Sequence, residues 1–157
     1  MDEQGQSITV VPMQPKHIED LERLEKECFS TPWSFDSLVS ELSNPLAVFR
    51  VAEIDGKVAG YVGMQHIVDE GYICNIAVFS CYRRRGVATK LMEELNSYAR
   101  ENDMAFISLE VRESNVNAQK LYEKFHFEVV GHRKNFYSNP KEDALIMTRT
   151  YGGLFEF

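Results

Sequence analysis

Cysteine is scarce in this chain. Cys28, Cys74 and Cys81 are an odd set of three with no C-x-x-C pair, which excludes a disulfide framework and a cysteine zinc site as expectations and leaves the thiols as buried or incidental. The four histidines (His17, His66, His126, His132) are scattered without ligand spacing, so no metal is expected. No apolar run approaches the roughly 20 residues that cross a bilayer, and Met1 to Ser7 lack the basic-then-apolar order of a secretory signal. A cytoplasmic protein with no membrane partner is the expectation. Basic residues are outnumbered, 17 against 24 acidic, for a formal charge of -7; this argues against direct nucleic-acid binding and suits a cationic partner. Repeats, linkers and low-complexity stretches are lacking, and tryptophan occurs once, at Trp33.

What remains is 157 residues with 44% hydrophobic content, enough for one compact domain over residues 1–157, with a core of about 8–150 and a tail at 151–157. That tail is left without an assigned role. Ile8 to Val11 reads as a strand. Pro15 opens a helix with an apolar stripe at Ile18, Leu21, Leu24 and Cys28, ended by Thr31-Pro32. Ser34 caps a second short helix carrying Leu38 and Leu42. Asp55-Gly56 between Ala47–Ile54 and Val58–Val68 is a hairpin signal, and Asp69-Glu70-Gly71 leads into a strand over Tyr72–Val78. Val87, Leu91, Leu95 and Tyr98 recur at helical spacing up to about Asn102. Ala105–Val111 reads as a strand, Asn115–Phe125 as a helix, and Phe127–Tyr137 and Asp143–Arg149 as two last strands. This order predicts an α+β fold, a partly antiparallel central sheet with helices on both faces.

Arg83-Arg84-Arg85-Gly86-Val87-Ala88, between a strand and a helix start, forms an expected anion cradle. Glycine lets the chain turn, and the unpaired N–H groups and positive dipole end of the following helix attract phosphate. The order strand, basic turn, glycine, helix differs from both the P-loop and the dinucleotide fingerprint, and points to another phosphate-bearing cofactor. Glu110, late in a strand, and Tyr122, on the next helix, pair a carboxylate with a phenol, the residue types of a base and an acid. Read blandly, Glu110 is an edge charge and Tyr122 a packing aromatic beside Phe125.

Together these segments resemble the Gcn5-related N-acetyltransferase (GNAT) superfamily, whose signature Q/R-x-x-G-x-G/A is matched by Arg83 through Ala88. Asn75-Ile76-Ala77-Val78, Leu109-Glu110-Val111-Arg112, Ser114-Asn115, Leu121-Tyr122-Glu123, Glu142-Asp143-Ala144 and Pro32-Trp33-Ser34 stand in the order and spacing of its bacterial ribosomal-protein-alanine branch. The resemblance covers roughly residues 8 to 150 and implies acetyl-CoA as cosubstrate. Its pyrophosphate would rest on Arg83, Arg84, Arg85, Gly86, Val87, Ala88 and Thr89, and its pantetheine beside Ile76, Ala77 and Val78, like an added strand. A freed backbone N–H there would hold the thioester carbonyl, and Asn115 would both cap a helix and reach the cofactor. By the same resemblance Glu110 is the base, through a water, and Tyr122 the acid. The resemblance implies as acceptor the N-terminal alanine of the eighteenth small-subunit ribosomal protein. Trp33, between the first two helices, and Tyr137, in the last hairpin, are candidates to wall the peptide, with Trp33 equally readable as a core plug, and a monomer or weak dimer is expected. Another protein N-terminus, a lysine or a small amine, or a non-catalytic coenzyme-binding role, stand as alternatives. Three departures stand out: Arg83 for the commoner glutamine, Phe136 for a tyrosine, and His126 where glycine is usual, which requires a left-handed backbone there at a cost of about 1 kcal/mol.

Overall fold

The structure, a computed structural model, describes residues 7–152. Among the described residues, seven strands form one sheet, in the order first, second, third, fourth, fifth, seventh, sixth along the chain. The described residues gather into two compact units, one of residues 7–65 and 74–95, the other of residues 66–73 and 96–152.

The first unit begins with β1 (Ile8–Pro12), a 3-10 turn at Pro15–His17, and α1 (Ile18–Cys28). Proline at the turn's first position forfeits no helical hydrogen bond. The expected stripe holds: Ile18, Leu21 and Leu24 are buried, with Leu38 of α2 (Phe35–Glu41) and Val51, Phe49 and Tyr61 beside them in one core cluster. Ser34 caps α2 as its sequence implies, accepting the Ser37 N–H at 3.1 Å. Strand β2 (Ala47–Ile54) pairs antiparallel with β1 and with β3 (Lys57–Ile67). Their turn carries positive φ at Asp55 and Gly56, 53° and 76°, the conformation that suits a two-residue hairpin. None of the three cysteines is buried: Cys28 is half-buried and Cys74 and Cys81 are exposed, which removes the buried-thiol reading.

Strand β4 (Glu70–Val78) crosses from the second unit to the first. In the second unit it pairs in parallel with β5 (Phe106–Arg112) over Glu70–Tyr72 against Phe106–Ser108. Strand β5 pairs antiparallel with β7 (Lys141–Thr150), and β7 with the edge strand β6 (Glu128–Ser138). Helix α3 (Val87–Glu101) starts at the predicted position. It buries Val87, Leu91, Leu95 and Ala99, an i, i+4 row that leaves Tyr98 at its margin with its hydroxyl 2.6 Å from His66 Nδ1. Helix α4 (Val116–Lys124) is capped by Asn115, which accepts the Ala118 N–H at 3.1 Å. His126 takes the left-handed conformation expected of it, with φ 67°. The strand and helix assignments thus hold with shifts of up to about three residues, the largest where a 3-10 turn takes Pro15–His17 before α1, and an α+β fold with a mostly antiparallel sheet is confirmed.

Candidate active site

At the end of β4, Phe79 donates its N–H to Ala59 O at 2.9 Å, and a 3-10 turn at Ser80–Tyr82 follows, which the sequence did not announce. Glu27 of α1 holds that turn by accepting the Ser80 N–H at 2.9 Å. Arg84 and Gly86 then adopt φ of 62° and 83°, left-handed backbone of the kind from which anion-binding nests are built. Val78, Tyr82, Arg83, Arg84, Gly86, Val87, Ala88 and Thr89 line a cavity of about 190 Å³. Six of the residues expected to form the cradle therefore border one recess with Val78, at the N-terminus of a helix of fifteen residues. Tyr82 was missed by the sequence reading.

The three arginines divide their work. Arg83 donates through Nε to Val78 O at 3.2 Å and through Nη2 to Cys28 Sγ at 3.5 Å, so it braces the loop rather than serving as mobile charge. Arg85 lays its guanidinium 5.3 Å from the centre of the Tyr82 ring. Ile76 and Ala77 stand on β4 just before Val78, and Ala77 is buried.

The second unit holds Glu110, Tyr122, Tyr137 and Asn115. Tyr122 is buried, its ring 5.9 Å from that of Phe127, and its hydroxyl makes no hydrogen bond among the described residues. Burial first, and the neighbouring Tyr137 second, push this phenol well above its ordinary value, so it stays protonated across neutral pH. Glu110, half-buried on β5, has Oε1 3.4 Å from Arg133 Nε. Tyr137 is half-buried, with Arg112 stacked 4.3 Å from its ring centre. Burial raises its phenol, Arg112 opposes this, and the charges of Glu110 and Glu142 add to the rise. Phe136, the departure from tyrosine, packs edge-on against Tyr137 at 5.0 Å.

Arg112 and Glu142 were legible only as parts of a motif. Arg112 donates to Pro140 O at 2.9 Å and Asn139 O at 3.2 Å, fixing the β6–β7 turn. Glu142 accepts the Ser114 N–H at 2.6 Å and faces Arg112 at 3.2 Å. The bonds from Ser114 hold the Glu142 carboxyl below its usual range, with Arg112 assisting. A lowered carboxyl contributes its stability above the ordinary carboxylate pKa and loses it as pH falls through the lowered value. In an NMR titration the movement of the Ser114 amide resonance is therefore expected to centre below the ordinary glutamate range; movement centred at or above it would contradict the bond.

Sequence reasoning also missed Glu25. It lies on the buried stripe of α1, seven residues after Ile18, and is fully buried. Its carboxylate accepts the Trp33 N–H at 2.8 Å, the Tyr61 hydroxyl at 2.7 Å and Asn75 Nδ2 at 3.2 Å. Burial raises the carboxyl above its ordinary value, against the lowering effect of Trp33 and Tyr61. A glutamate on an otherwise apolar helical stripe was the available signal. Trp33 itself is half-buried, its ring 5.8 Å from that of Phe49, and with Pro32, Ser34, Ser37, Ser40 and Glu41 it lines an open recess of about 500 Å³.

Chain spacing concealed one further cluster. Glu113, His132 and Asp143 bring one ligand atom each within 4.8 Å of one another, from three different strands or strand ends. His132 Nε2 lies 3.2 Å from Asp143 and 3.7 Å from Glu113, as in a surface ion pair.

A basic turn opening a long helix after a central strand, in an α+β fold with a mostly antiparallel sheet, is the arrangement expected of an acetyltransferase, and the family comparison agrees. Residues 18–127 match the model of the acetyltransferase (GNAT) family, and the chain belongs to that family; it is an N-acetyltransferase. It is 40% identical over 136 residues to the putative [ribosomal protein bS18]-alanine N-acetyltransferase of Bacillus subtilis (strain 168), covering 86% of this chain and 90% of that one. Among solved structures it is similar to the ribosomal-protein-S18-alanine N-acetyltransferase of Escherichia coli, with a TM-score of 0.86 and 28% identity over 96% of this chain and 100% of that one. Arabidopsis thaliana NAA60 in complex with acetyl-CoA shares the fold at a TM-score of 0.84 and 20% identity, over 94% of this chain and 100% of that one. Among the described residues, no helix is long and apolar enough to cross a membrane.

Proposed function

We propose that this enzyme moves the acetyl group of acetyl-CoA onto the α-amine of a protein N-terminus, with the alanine that opens ribosomal protein bS18 as acceptor. The acceptor rests on the names of the Bacillus subtilis and Escherichia coli relatives. The observation that carries the chemistry is Tyr122, a buried, protonated phenol without a hydrogen-bond partner among the described residues, on the helix that follows the Glu110 strand.

The cradle fits the donor. Its 190 Å³ recess combines left-handed backbone, a helix N-terminus and arginine side chains, which suits a pyrophosphate, and the backbone of Ile76, Ala77 and Val78 offers pairing groups for the pantetheine amides. Acetyl-CoA supplies the activated acyl group. Glu110 takes a proton from the attacking amine, through a water, as the new C–N bond forms. Tyr122 gives its proton to the departing sulfur as the C–S bond breaks, and Asn115 contacts the cofactor beyond its capping role. Trp33 and Tyr137 bear on the acceptor peptide.

Protonation favours this acceptor class. With a pKa near 7.7–8.0, roughly a tenth of an α-amine is neutral at pH 7, against well under a thousandth of a lysine amine near 10.4. The first therefore asks little of a general base and the second a great deal.

Mass spectrometry of a bS18 N-terminal peptide incubated with enzyme and acetyl-CoA, beside a copy with a blocked α-amine and an internal lysine, tests the reading. Acetylation of the free-amine peptide alone is expected. Acetylation of the blocked copy moves the acceptor to lysine, and modification of neither, with coenzyme bound, overturns the proposed acceptor.

A further inference from the structure

Residues 29–34 join α1 to α2 without regular structure, so their backbone groups need partners outside a helix or strand ladder. At Trp33 that partner is Glu25, whose Oε1 accepts the Trp33 N–H at 2.8 Å. An apolar residue at position 25 would have completed the stripe of Ile18, Leu21 and Leu24; a glutamate there gives up its hydration entirely. Its remaining contacts run to Tyr61 of β3 and to Asn75 of β4, and Asn75 stands directly before Ile76, Ala77 and Val78. One carboxylate thus fastens the Trp33 segment to the strand that carries the proposed pantetheine contacts, all within the first unit. Three donors on one buried carboxylate fix direction as well as distance, which a greasy contact would not.

We infer that Glu25 is a positioning residue for the acceptor: through the Trp33 N–H it sets the loop whose tryptophan lines the open recess, and so governs peptide binding rather than the chemical step. The inference rests on the proposed N-terminal acetylation. Glu25→Ala removes all three contacts. Glu25→Gln keeps an oxygen for the Trp33 N–H and turns its NH2 toward the Tyr61 oxygen, which as a hydroxyl also accepts.

The experiment reads steady-state kinetics together with the emission of Trp33, the sole tryptophan. Glu25→Ala is expected to raise the KM for peptide by about tenfold or more and the KM for acetyl-CoA by less than about twofold, with red-shifted, more readily quenched Trp33 emission. Glu25→Gln is expected to restore both readouts most of the way. Unchanged peptide KM and emission in a folded Glu25→Ala protein overturns the inference, as does an equal rise in both KM values or a failure of Glu25→Gln to rescue. Should Glu25→Ala not fold, Tyr61→Phe removes one donor and keeps the ring. A rise in peptide KM of about threefold with altered emission is then expected, and no change in either is contrary. If the wild-type enzyme acetylates no free α-amine, it is the acceptor reading that fails, while the emission of the variants still reports whether Glu25 holds the loop.

Discussion

Tyr122→Phe is expected to lower kcat by about a hundredfold or more, the range for losing a positioned general acid, while the KM for acetyl-CoA stays near that of the wild type. The variant isolates one atom. Its ring keeps its place beside Phe127, and the hydroxyl removed has no hydrogen-bond partner among the described residues. Deleting a hydroxyl that bonds no other described residue breaks no intramolecular hydrogen bond, so the melting temperature should hold. That combination separates the two readings of the residue. A packing aromatic would give unchanged turnover, and a structural hydroxyl would give lost stability with lost turnover. The acid reading alone gives slow chemistry in a sound fold. Because its phenol is raised by burial, Tyr122 remains a proton donor as pH climbs through the neutral range, and the acid-competent form is lost only in strongly alkaline solution. The alkaline limb of kcat between about pH 7 and 9 should therefore be the same in both proteins apart from the overall drop; a limb that vanished with Tyr122 would place its pKa far lower than its burial implies.

How far the sequence could be read depended on whether the signal was local. The Asp55-Gly56 hairpin, the Ser34 and Asn115 caps, and the strand-to-helix cradle each lie within a few consecutive residues, where backbone sterics and dipoles act without help from distant chain. The left-handed backbone at His126 was legible for the same reason, since a glycine position marks a φ that few side chains tolerate. Glu25 was not, because its meaning comes from Trp33, Tyr61 and Asn75, eight to fifty residues away. The Glu113, His132 and Asp143 cluster was hidden likewise by strand pairing. Arg83 shows a different limit: the motif announced its charge, but the direction of its side chain is decided by Val78 O and Cys28 Sγ. The roles proposed for Glu110 and Tyr122 rest on resemblance, since a carboxylate on a strand and an aromatic on a helix are ordinary packing residues until their surroundings are known.

Gly60→Ala is expected to destabilise the enzyme by about 1–3 kcal/mol, lowering the melting temperature by roughly 2–4 °C for each kcal/mol in a chain of this size. A Cβ at Gly60 would stand 2.6 Å from Ala77 O and 3.2 Å from Val78 Cα. Both are backbone atoms, which cannot swing aside as a side chain does. At Gly63 the clash would be as close, 2.5 Å, but with the tip of the Phe49 ring, which has χ angles through which to move. Relief at Gly60 requires β3 to move away from residues 77 and 78 of β4, and so displaces the backbone proposed to pair with the pantetheine. The KM for acetyl-CoA should then rise more than the KM for peptide, the reverse of the split expected for Glu25→Ala. A Gly60→Ala protein that melts early yet binds acetyl-CoA with wild-type affinity would detach the cofactor from this strand, and would leave the cradle at Arg84, Gly86 and the start of α3 as the part of the binding surface that still carries the argument.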